Sequence, residues 1–292
     1  MRTPSRKINW KSCLDASCIT QLLALQEAMK KFYATSPVYY GDIDFTADTW
    51  TDETQLEASD ILKEASQKIA VLEVGCGKAN ILKSGRISPK HYTGIDFSPA
   101  VIEENRVTFP DATFNCIADI SRFPAETSHF DYVFSHYVLE HCVFPHLFLD
   151  ECVRVLRPGG VLSILCPDFL GTGRMSSQRA GFSSGTGREK LSRGQYWDAL
   201  VTGYDNKIKI PLHASRLRSE ARKCPRFFVN LAPTCFTDHF LPDVDAVYLT
   251  FADEIRNYLV KSILWESLET SLARYSAANS HIYLKGRKLR DE

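Results

Sequence analysis

Residues 71–80 read VLEVGCGKAN, and this stretch decides the fold. It continues an apolar run, residues 69–72, of the kind found in parallel strands that are covered on both faces. Gly75 and Gly77 then let the backbone approach a ligand at a point where a Cβ atom would clash. The stretch therefore predicts a buried strand that enters a glycine turn and opens a helix, an arrangement suited to holding a cofactor.

Short apolar runs alternate with helical patterns beyond this turn, which indicates a doubly wound parallel sheet. Predicted strands cover residues 69–74, 92–96, 113–117, 132–135 and 161–166. Ser98 and Pro99 predict the N-cap and first position of a helix. A later helix over 147–156 ends at the Arg-Pro-Gly-Gly run 157–160, because a helix cannot continue through it. Residues 258–265 and 281–285 predict an antiparallel pair that closes the sheet.

The chain divides into four parts around this core. Residues 1–66 are predicted to form an N-terminal helical lid segment, with helices over 21–32 and 53–66. Residues 67–169 form the cofactor-binding core, 170–245 a large insertion that caps the substrate, and 246–292 the C-terminal part of the core sheet. Because glycine and serine runs interrupt the insertion, we expect it to be long and irregular.

Overall composition excludes some partners. Thirty-five Lys and Arg residues balance 35 Asp and Glu residues, so no global field favours nucleic acid or a membrane surface. Nine cysteines without a metal-type CxxC spacing favour free thiols in a reducing cytosol. The basic N-terminus is followed by no apolar signal region, and no apolar run has the length of a membrane span. We expect a soluble, cytoplasmic protein that binds neither nucleic acid nor membrane.

Charge is nevertheless concentrated in two segments. Residues 170–226 carry twelve Lys and Arg residues against four acids, whereas residues 42–64 carry eight acids against Lys63. The basic segment is interpreted as a solvated face or as a site for an anionic substrate or an acidic partner. The acidic segment could dock on it as a lid.

An acid follows the glycine turn at the spacing that adenosine cofactors use. Asp96 lies 21 residues beyond Gly75, where its carboxylate can accept hydrogen bonds from both ribose hydroxyls. Nicotinamide dinucleotides and other adenosine cofactors both fit this pattern. The pyrophosphate fingerprint requires a third glycine three residues after the second, and Asn80 at that position disfavours a dinucleotide.

Five motifs in order along the chain resemble those of the class I S-adenosylmethionine-dependent methyltransferases, of the methyltransferase type 11 kind that acts on small molecules. Glu73, Gly75 and Gly77 match the acidic-x-Gly-x-Gly-x-Gly turn, with Ala79 in place of the last glycine. The other motifs are GIDFSP at 94–99, ADI at 118–120, FDYVFSHYVLEH at 130–141 and VLRPGG at 155–160. The resemblance implies an α/β fold with a doubly wound, Rossmann-like, seven-stranded, mostly parallel sheet and an antiparallel C-terminal strand.

The resemblance also implies that S-adenosylmethionine is the cofactor, with S-adenosylhomocysteine as its product. In that family the glycine turn passes under the methionine part, an acid at Glu73 helps to hold the ammonium group, and Asp96 holds the ribose. The implied cofactor-binding residues are Glu73, Gly75, Cys76, Gly77, Asp96, Phe97, Asp119, Ile120 and His136, with Tyr39 and Tyr40 as lid residues.

The segment after the fourth predicted strand faces the methyl group in this family. Some quinone-pathway O-methyltransferases place a metal-binding Glu-x-x-Glu-His here, but Tyr137 replaces the first carboxylate, so no metal site is expected. Glu140 and His141 are interpreted as a buried hydrogen-bonded pair that holds the loop. We predict His136 or His239 as the catalytic base. The usual pKa of histidine lies near neutral pH, so its ring can take a hydroxyl proton.

The function implied by the resemblance is methyl transfer from S-adenosylmethionine to a small-molecule acceptor, which could be anionic, with a hydroxyl oxygen favoured. Aromatic residues of the insertion could line the acceptor pocket; they are Phe182, Tyr196, Trp197, Tyr204, Phe227, Phe228, Phe236 and Phe240. Nitrogen or carbon methylation, a protein or nucleic-acid methyltransferase, and a non-catalytic cofactor-binding protein stay open as alternatives, as does a homodimer.

Overall fold

The structure of the chain is a computed structural model and describes residues 8–35, 56, 69–83, 85, 87–118, 120–173, 186–233 and 245–290. Several residues singled out by the sequence lie outside these ranges. They are Tyr39, Tyr40, Asp119, His239, Phe182, Phe236 and Phe240, together with the acidic segment 42–64 and the predicted helix 53–66 apart from Leu56. Their roles stay predictions.

A seven-stranded sheet forms the centre of the described molecule. Together with a two-stranded sheet it uses β1 (Trp10–Ser12), β2 (Val71–Val74), β3 (Tyr92–Asp96), β4 (Thr113–Cys116), β5 (Phe130–His136), β6 (Leu156–Pro167), β7 (Phe228–Asn230), β8 (Ile263–Trp265) and β9 (His281–Lys288). The order across the large sheet is β4-β3-β2-β5-β6-β9-β8. Of these seven strands, β9 runs antiparallel to its neighbours β6 and β8, and the other pairs are parallel. The predicted mostly parallel sheet with an antiparallel C-terminal strand is confirmed.

Helices connect the strands and form the outer layers. They are α1 (Ile19–Thr35), α2 (Asn80–Lys83), α3 (Pro99–Thr108), α4 (Pro145–Val155), α5 (Phe169–Thr172), α6 (Gly187–Ser192), α7 (Tyr196–Tyr204), α8 (Ile210–Lys223), α9 (Ala252–Tyr258) and α10 (Ser271–Ala278). Helix α3 starts as predicted, because the Ser98 hydroxyl accepts the backbone N–H of Val101 at 3.2 Å. Helix α4 ends at Val155, and the backbone is extended from Leu156 onward.

Strand β2 is buried on both faces, which explains its unbroken apolar run. Val71 and Leu72 point to opposite faces, yet both are at most 1% exposed. Val71 packs in a cluster with Tyr92 and Phe114, whereas Leu72 packs in the larger core cluster with Ile95. A central parallel strand that is covered on both sides shows no alternation of polar and apolar residues.

The cap is more regular than the sequence predicted. The expectation of a long irregular insertion is wrong for residues 187–223, which are helical almost throughout. Helix α6 begins with a capping box in which Thr186 and Glu189 each bond the other's backbone. Gly194 at φ +71° follows its end, whereas Pro211 lies inside the continuous helical stretch 196–223, just after a π-helical turn over Asp205–Lys209. Both residue types favour turns in a sequence, but here one follows a helix end and the other lies within a helix.

The N-terminus and the cap also share a small sheet that the sequence did not reveal. Strand β1 pairs antiparallel with β7, and Trp10 faces Asn230 in the register. Trp10 packs against the buried face of α8, together with Ile210, Ala214 and Phe251. Strands of three residues carry too little periodicity to be recognised.

A buried carboxylate holds the cap against the core. Glu254 Oε1 accepts the backbone N–H groups of Arg226 and Phe227 at 2.7 and 2.9 Å, and Oε2 accepts the Tyr248 hydroxyl at 2.7 Å. Burial raises the pKa of Glu254, and the three hydrogen bonds oppose the rise. Glu254 therefore fixes the chain just before β7 and ties it to the segment around Tyr248.

We predict that Tyr248→Phe lowers the free energy of unfolding by about 1–3 kcal/mol, because it removes a donor from a fully buried carboxylate. Tyr258→Phe is the matched control, since the Tyr258 hydroxyl also bonds a carboxylate, that of Asp150 at 2.9 Å, but in an exposed position. The control should lose about 0.5–1 kcal/mol. Urea unfolding followed by circular dichroism measures both, and equal losses would contradict the role given to Glu254.

Candidate cofactor site

The carboxyl ends of the parallel strands form one edge of the sheet, and the predicted site residues follow this edge. The glycine turn comes directly after β2, Asp96 ends β3, His136 ends β5 and Asp168 follows β6. In open α/β sheets, ligands bind outside the carboxyl ends of the strands, where the strand order reverses. Here the order reverses between β2 and β5.

The glycine turn is anchored to the neighbouring strand by its own backbone. The N–H groups of Gly75 and Cys76 both donate to the carbonyl of Ile95, at 2.8 and 3.0 Å. Gly75 has φ +75°, and a Cβ atom there would lie 2.1 Å from Val138 Cγ2. The position therefore needs glycine for its backbone angle and for the close approach of the segment after β5. Gly77 has φ +46° and open space around it.

Asp96 orders both the turn and the start of the next helix. Its Oδ2 accepts the N–H of Gly77 and its Oδ1 accepts the N–H of Ser98, each at 3.0 Å. Burial raises the pKa of Asp96, and the backbone donors from Ser98, Gly77 and Phe97 oppose the rise. Each carboxylate oxygen can accept more than one hydrogen bond, so both retain capacity for hydroxyl donors of a ligand.

Asn105 is a supporting residue that the sequence did not single out. This buried side chain on α3 donates to the carbonyl of Gly77 at 2.7 Å, so α3 holds the turn from the other side. Its side chain also approaches Cys76 Sγ at 3.8 Å. The Cys76 thiol is buried in the cluster under the turn, against Gly94. Cys76 can therefore offer a ligand its backbone but not its sulfur.

Ala79, where the related motif has a third glycine, adopts the conformation that this glycine allows. Its φ is +48° and its side chain is fully buried. A left-handed alanine costs about 1–2 kcal/mol. The turn thus keeps the glycine geometry at some cost in stability, because the methyl group fits the core below it.

The remaining predicted cofactor residues lie around the same edge. Glu73, in β2, accepts the hydroxyl of the buried Tyr92. Phe97 is half-buried and packs against the main core, and its carbonyl accepts from the Cys116 thiol at 3.6 Å. Ile120 is buried in that core. The structure brings the turn and Asp96 into contact, while Glu73 faces Tyr92 and Ile120 contributes a buried side chain.

The segment after β5 carries strained and polar residues. His136 ends β5 with its ring 5.4 Å from that of Phe134. Tyr137 has φ +57°, which a non-glycine residue rarely adopts, and its hydroxyl lies 3.0 Å from His281 Nδ1. Such backbone strain collects at functional sites. Val138 then fills the space next to Gly75.

A second polar cluster lies just beyond this segment. His141 Nδ1 lies 3.3 Å from the Asp245 carboxylate, and its Nε2 lies 3.8 Å from Glu140 Oε1. The Tyr33 hydroxyl donates to the same Asp245 oxygen at 2.7 Å. Glu140 and Asp245 are buried, and the His141 side chain keeps 21% of its surface exposed. Glu140 and His141 were expected to form a buried hydrogen-bonded pair, but their separation of 3.8 Å is longer than a hydrogen bond and His141 is partly exposed. Asp245 and Tyr33 come from distant parts of the chain and carry no motif.

Asp168 is a further perturbed acid at this edge. Its carboxylate accepts the N–H of Gly171 at 2.9 Å at the start of α5. Burial raises its pKa to about 6, and the nearby Asp253 carboxylate adds to the rise. Among the described residues no group of His, Cys, Asp and Glu is arranged to hold a metal ion. None of the described helices is long and apolar enough to cross a membrane.

Comparison with known protein families agrees with this geometry. The family model for the methyltransferase domain Methyltransf_11 matches residues 72–164. This segment is a class I methyltransferase domain. Its cofactor is S-adenosylmethionine, as the resemblance of the sequence implied. The match runs from β2 into β6 and ends before the cap, so it covers the glycine turn, Asp96 and the segment after β5.

Curated relatives match about a third of the chain, as the family model does. Trans-aconitate 2-methyltransferase of Escherichia coli (strain 55989 / EAEC) is 37% identical over 105 residues, 34% of this chain and 39% of the relative. A probable S-adenosylmethionine-dependent methyltransferase of Mycolicibacterium smegmatis (strain ATCC 700084 / mc(2)155) is 30% identical over 98 residues, 34% of this chain and 38% of the relative. The chain thus spans about two fifths of these relatives. A crystal structure of an Aquifex aeolicus SAM-dependent methyltransferase aligns with a TM-score of 0.43 at 13% identity, over 90% of this chain and 97% of that one.

We predict that Gly75→Ala destabilises the methyltransferase domain by about 2–4 kcal/mol, the sum of backbone strain and overpacking against Val138. Gly77→Ala should cost only about 1 kcal/mol, because that position has the backbone strain without the clash. Urea unfolding measures both.

The double variant Gly75→Ala/Val138→Ala tests the cause. Relative to Val138→Ala alone, the glycine substitution should then cost no more than Gly77→Ala does. A Gly75→Ala variant as stable as Gly77→Ala would contradict the close approach of Val138.

Proposed function

We propose that this protein transfers a methyl group from S-adenosylmethionine to a small-molecule acceptor, with a hydroxyl oxygen as the favoured acceptor atom. The observation that carries the proposal is the position of the Asp96 carboxylate, fixed against the glycine turn at the reversal point of the sheet. An acid at this position suits a ribose diol, and the open space at Gly77 suits a ligand that lies along the turn. The family match over the same residues supports it.

The chain's residues fit the cofactor. Gly77 has open space where a side chain would stand, and Asp96 has acceptor capacity left for hydroxyl groups. Gly75 serves the site indirectly, because its missing side chain lets Val138 pack against the turn. We propose the full set of cofactor residues that the sequence implied, including Asp119, Tyr39 and Tyr40 outside the described ranges. Cys76 acts through its backbone in this proposal. When bound, S-adenosylmethionine supplies a methyl carbon on a sulfonium, whose sulfur keeps the electron pair of the broken bond.

The protein's part in the transfer is alignment, exclusion of water and removal of a proton. Methylation of a hydroxyl oxygen would release the hydroxyl proton, and a base of the protein would take that proton. His136 and His239 remain candidates for this base. His141 joins them, because Asp245 holds its Nδ1 side and a carboxylate partner orients an imidazole and stabilises its protonated form.

Two observations bear on the chemical class of the acceptor. Relatives such as trans-aconitate 2-methyltransferase are named for small molecules. The basic residues of 170–226 favour an anionic acceptor. A non-catalytic cofactor-binding protein is the main alternative, and turnover decides between the two. Nitrogen and carbon methylation differ only in the product and are separated by its identification.

We predict that Asp96→Asn weakens S-adenosylmethionine binding at least about tenfold, because it removes a charged acceptor for two hydroxyl groups. Asp111→Asn, the same change on the exposed surface, is the matched control and should bind as the wild type does. Calorimetric titration with S-adenosylmethionine and S-adenosylhomocysteine measures both variants. Wild-type affinity in a folded Asp96→Asn protein would remove Asp96 from the site.

We predict that replacing the true base by glutamine lowers kcat about 10²–10⁴-fold while leaving cofactor affinity unchanged. The variants are His136→Gln, His141→Gln and His239→Gln, assayed by S-adenosylhomocysteine release with an acceptor found by screening cell metabolites. If His141 is the base, Asp245→Asn should also shift the pH profile of kcat. Wild-type kcat in all three histidine variants would exclude a histidine base, and binding without release for any acceptor would favour the non-catalytic alternative.

A further inference from the structure

A row of large apolar side chains lies exposed on the cap. Its members are Tyr196, Trp197, Leu200, Tyr204, Ile208 and Leu212, each between 49% and 69% exposed. Apart from Trp197 they recur every four residues, so they form one ridge along the helical stretch from α7 to α8. Tyr196, Trp197 and Tyr204, which the sequence offered as lining of the acceptor pocket, lie on this apolar ridge, and their part in that pocket stays a prediction.

A π-helical turn keeps the ridge on a single face. An ideal α-helix advances about 40° with each four-residue step, so a longer ridge would wind around the helix. Residues Asp205–Lys209 form a π-helix, and the N–H of Ile210 bonds the carbonyl of Asp205, five residues back. A π-helix has more residues per turn than an α-helix, so this turn rotates the second half of the ridge back to the helix face that carries the first half. Meanwhile Ala199, Ala214 and Leu217 are buried.

The helices of the cap also carry exposed cations. Arg188, Arg193, Lys207, Arg216 and Lys223 are all exposed, with Lys207 next to Ile208 in the chain. Among the acids of residues 186–223, Glu220 pairs with Arg216 at 3.0 Å, Glu189 is exposed and completes the capping box of α6, and Asp198 is half-buried. Asp205 is buried. Exposed cations therefore outnumber exposed acids on the helices that carry the apolar ridge.

We propose that this ridge binds the surface of an anionic lipid bilayer, with α7 and α8 lying in the plane of the interface. A helix with Trp, Tyr and Leu on one face and Lys and Arg beside them binds bilayers through apolar burial and attraction to acidic headgroups. The binding needs no membrane-spanning segment, and it holds whether or not the proposed methyl transfer is correct.

Other occupants fit the ridge less well. A second copy of the chain packed ridge to ridge would bring together two caps on which exposed cations outnumber exposed acids, and their like charge would oppose association. Nucleic acid would meet the cations, but the aliphatic Leu200, Ile208 and Leu212 cannot stack on bases as aromatic rings do. A bilayer accepts a convex apolar ridge without a matching groove.

Vesicle sedimentation with the full chain tests the proposal. The wild type should pellet with vesicles of phosphatidylcholine and phosphatidylglycerol mixed about 7:3, and it should stay in the supernatant with phosphatidylcholine alone. Trp197→Ser/Leu200→Ser should reduce the partition coefficient at least about tenfold, because it removes two side chains from the apolar contact. Lys207→Glu/Arg193→Glu should reduce it on mixed vesicles, and added salt should reduce wild-type binding.

Matched controls use exposed residues away from the ridge. Val107→Ser on α3 and Lys261→Glu should bind the mixed vesicles as the wild type does. Failure of the wild type to pellet with either vesicle, or unchanged binding by both ridge variants, would overturn the proposal. Light scattering of the free protein gives the remaining outcome: a dimer that Trp197→Ser/Leu200→Ser converts to a monomer would assign the ridge to a second copy instead.

Discussion

The hydrogen bonds that Asp96 accepts at the end of β3 are the constraint on which the candidate site depends. One carboxylate oxygen holds the Gly77 N–H and the other holds the Ser98 N–H, so a single side chain sets the glycine turn and the start of α3 together. The Ile95 carbonyl fixes the same turn from the backbone, and Asn105 returns from α3 to bond the carbonyl of Gly77. Hydrogen bonds within the protein therefore fix the shape of the loop, and such fixing limits the entropy lost on binding.

Local chemistry explains which features the sequence could predict. Ser98 and Pro99 predict a helix start, because serine caps helices and proline suits their first position. The apolar run before Gly75 predicts a strand that is covered on both faces. Strand β3 lies at the residues that the sequence predicted, and the parallel pairing of the sheet follows from the alternation of strands and helices. The candidate cofactor residues were also local, since each lies at a strand end or within a short motif.

Contacts between distant residues could not be predicted in the same way. Tyr33, His141 and Asp245 meet at one point although more than two hundred residues separate the first from the last. No spacing rule links them, and neither the small sheet of β1 and β7 nor the role of Glu254 has a motif. The helices of the cap could not be predicted for another reason. Glycine and proline, here Gly194 and Pro211, occur in loops as well as in and beside helices, and tertiary packing decides which structure forms.

Net charge describes the whole chain and says little about any one surface of it. The chain is neutral as a whole, with 35 residues of each sign, and neutrality argued against an anionic surface as partner. At physiological ionic strength, however, a charge is screened beyond about 8 Å, so a partner senses only the patch that it touches. On the helices that carry the apolar ridge, exposed cations outnumber exposed acids, because Asp205 is buried and Asp198 is half-buried. Binding at such a face depends on the charges that lie within a Debye length of it. Folding decides which charges those are, so the composition of the chain does not predict them.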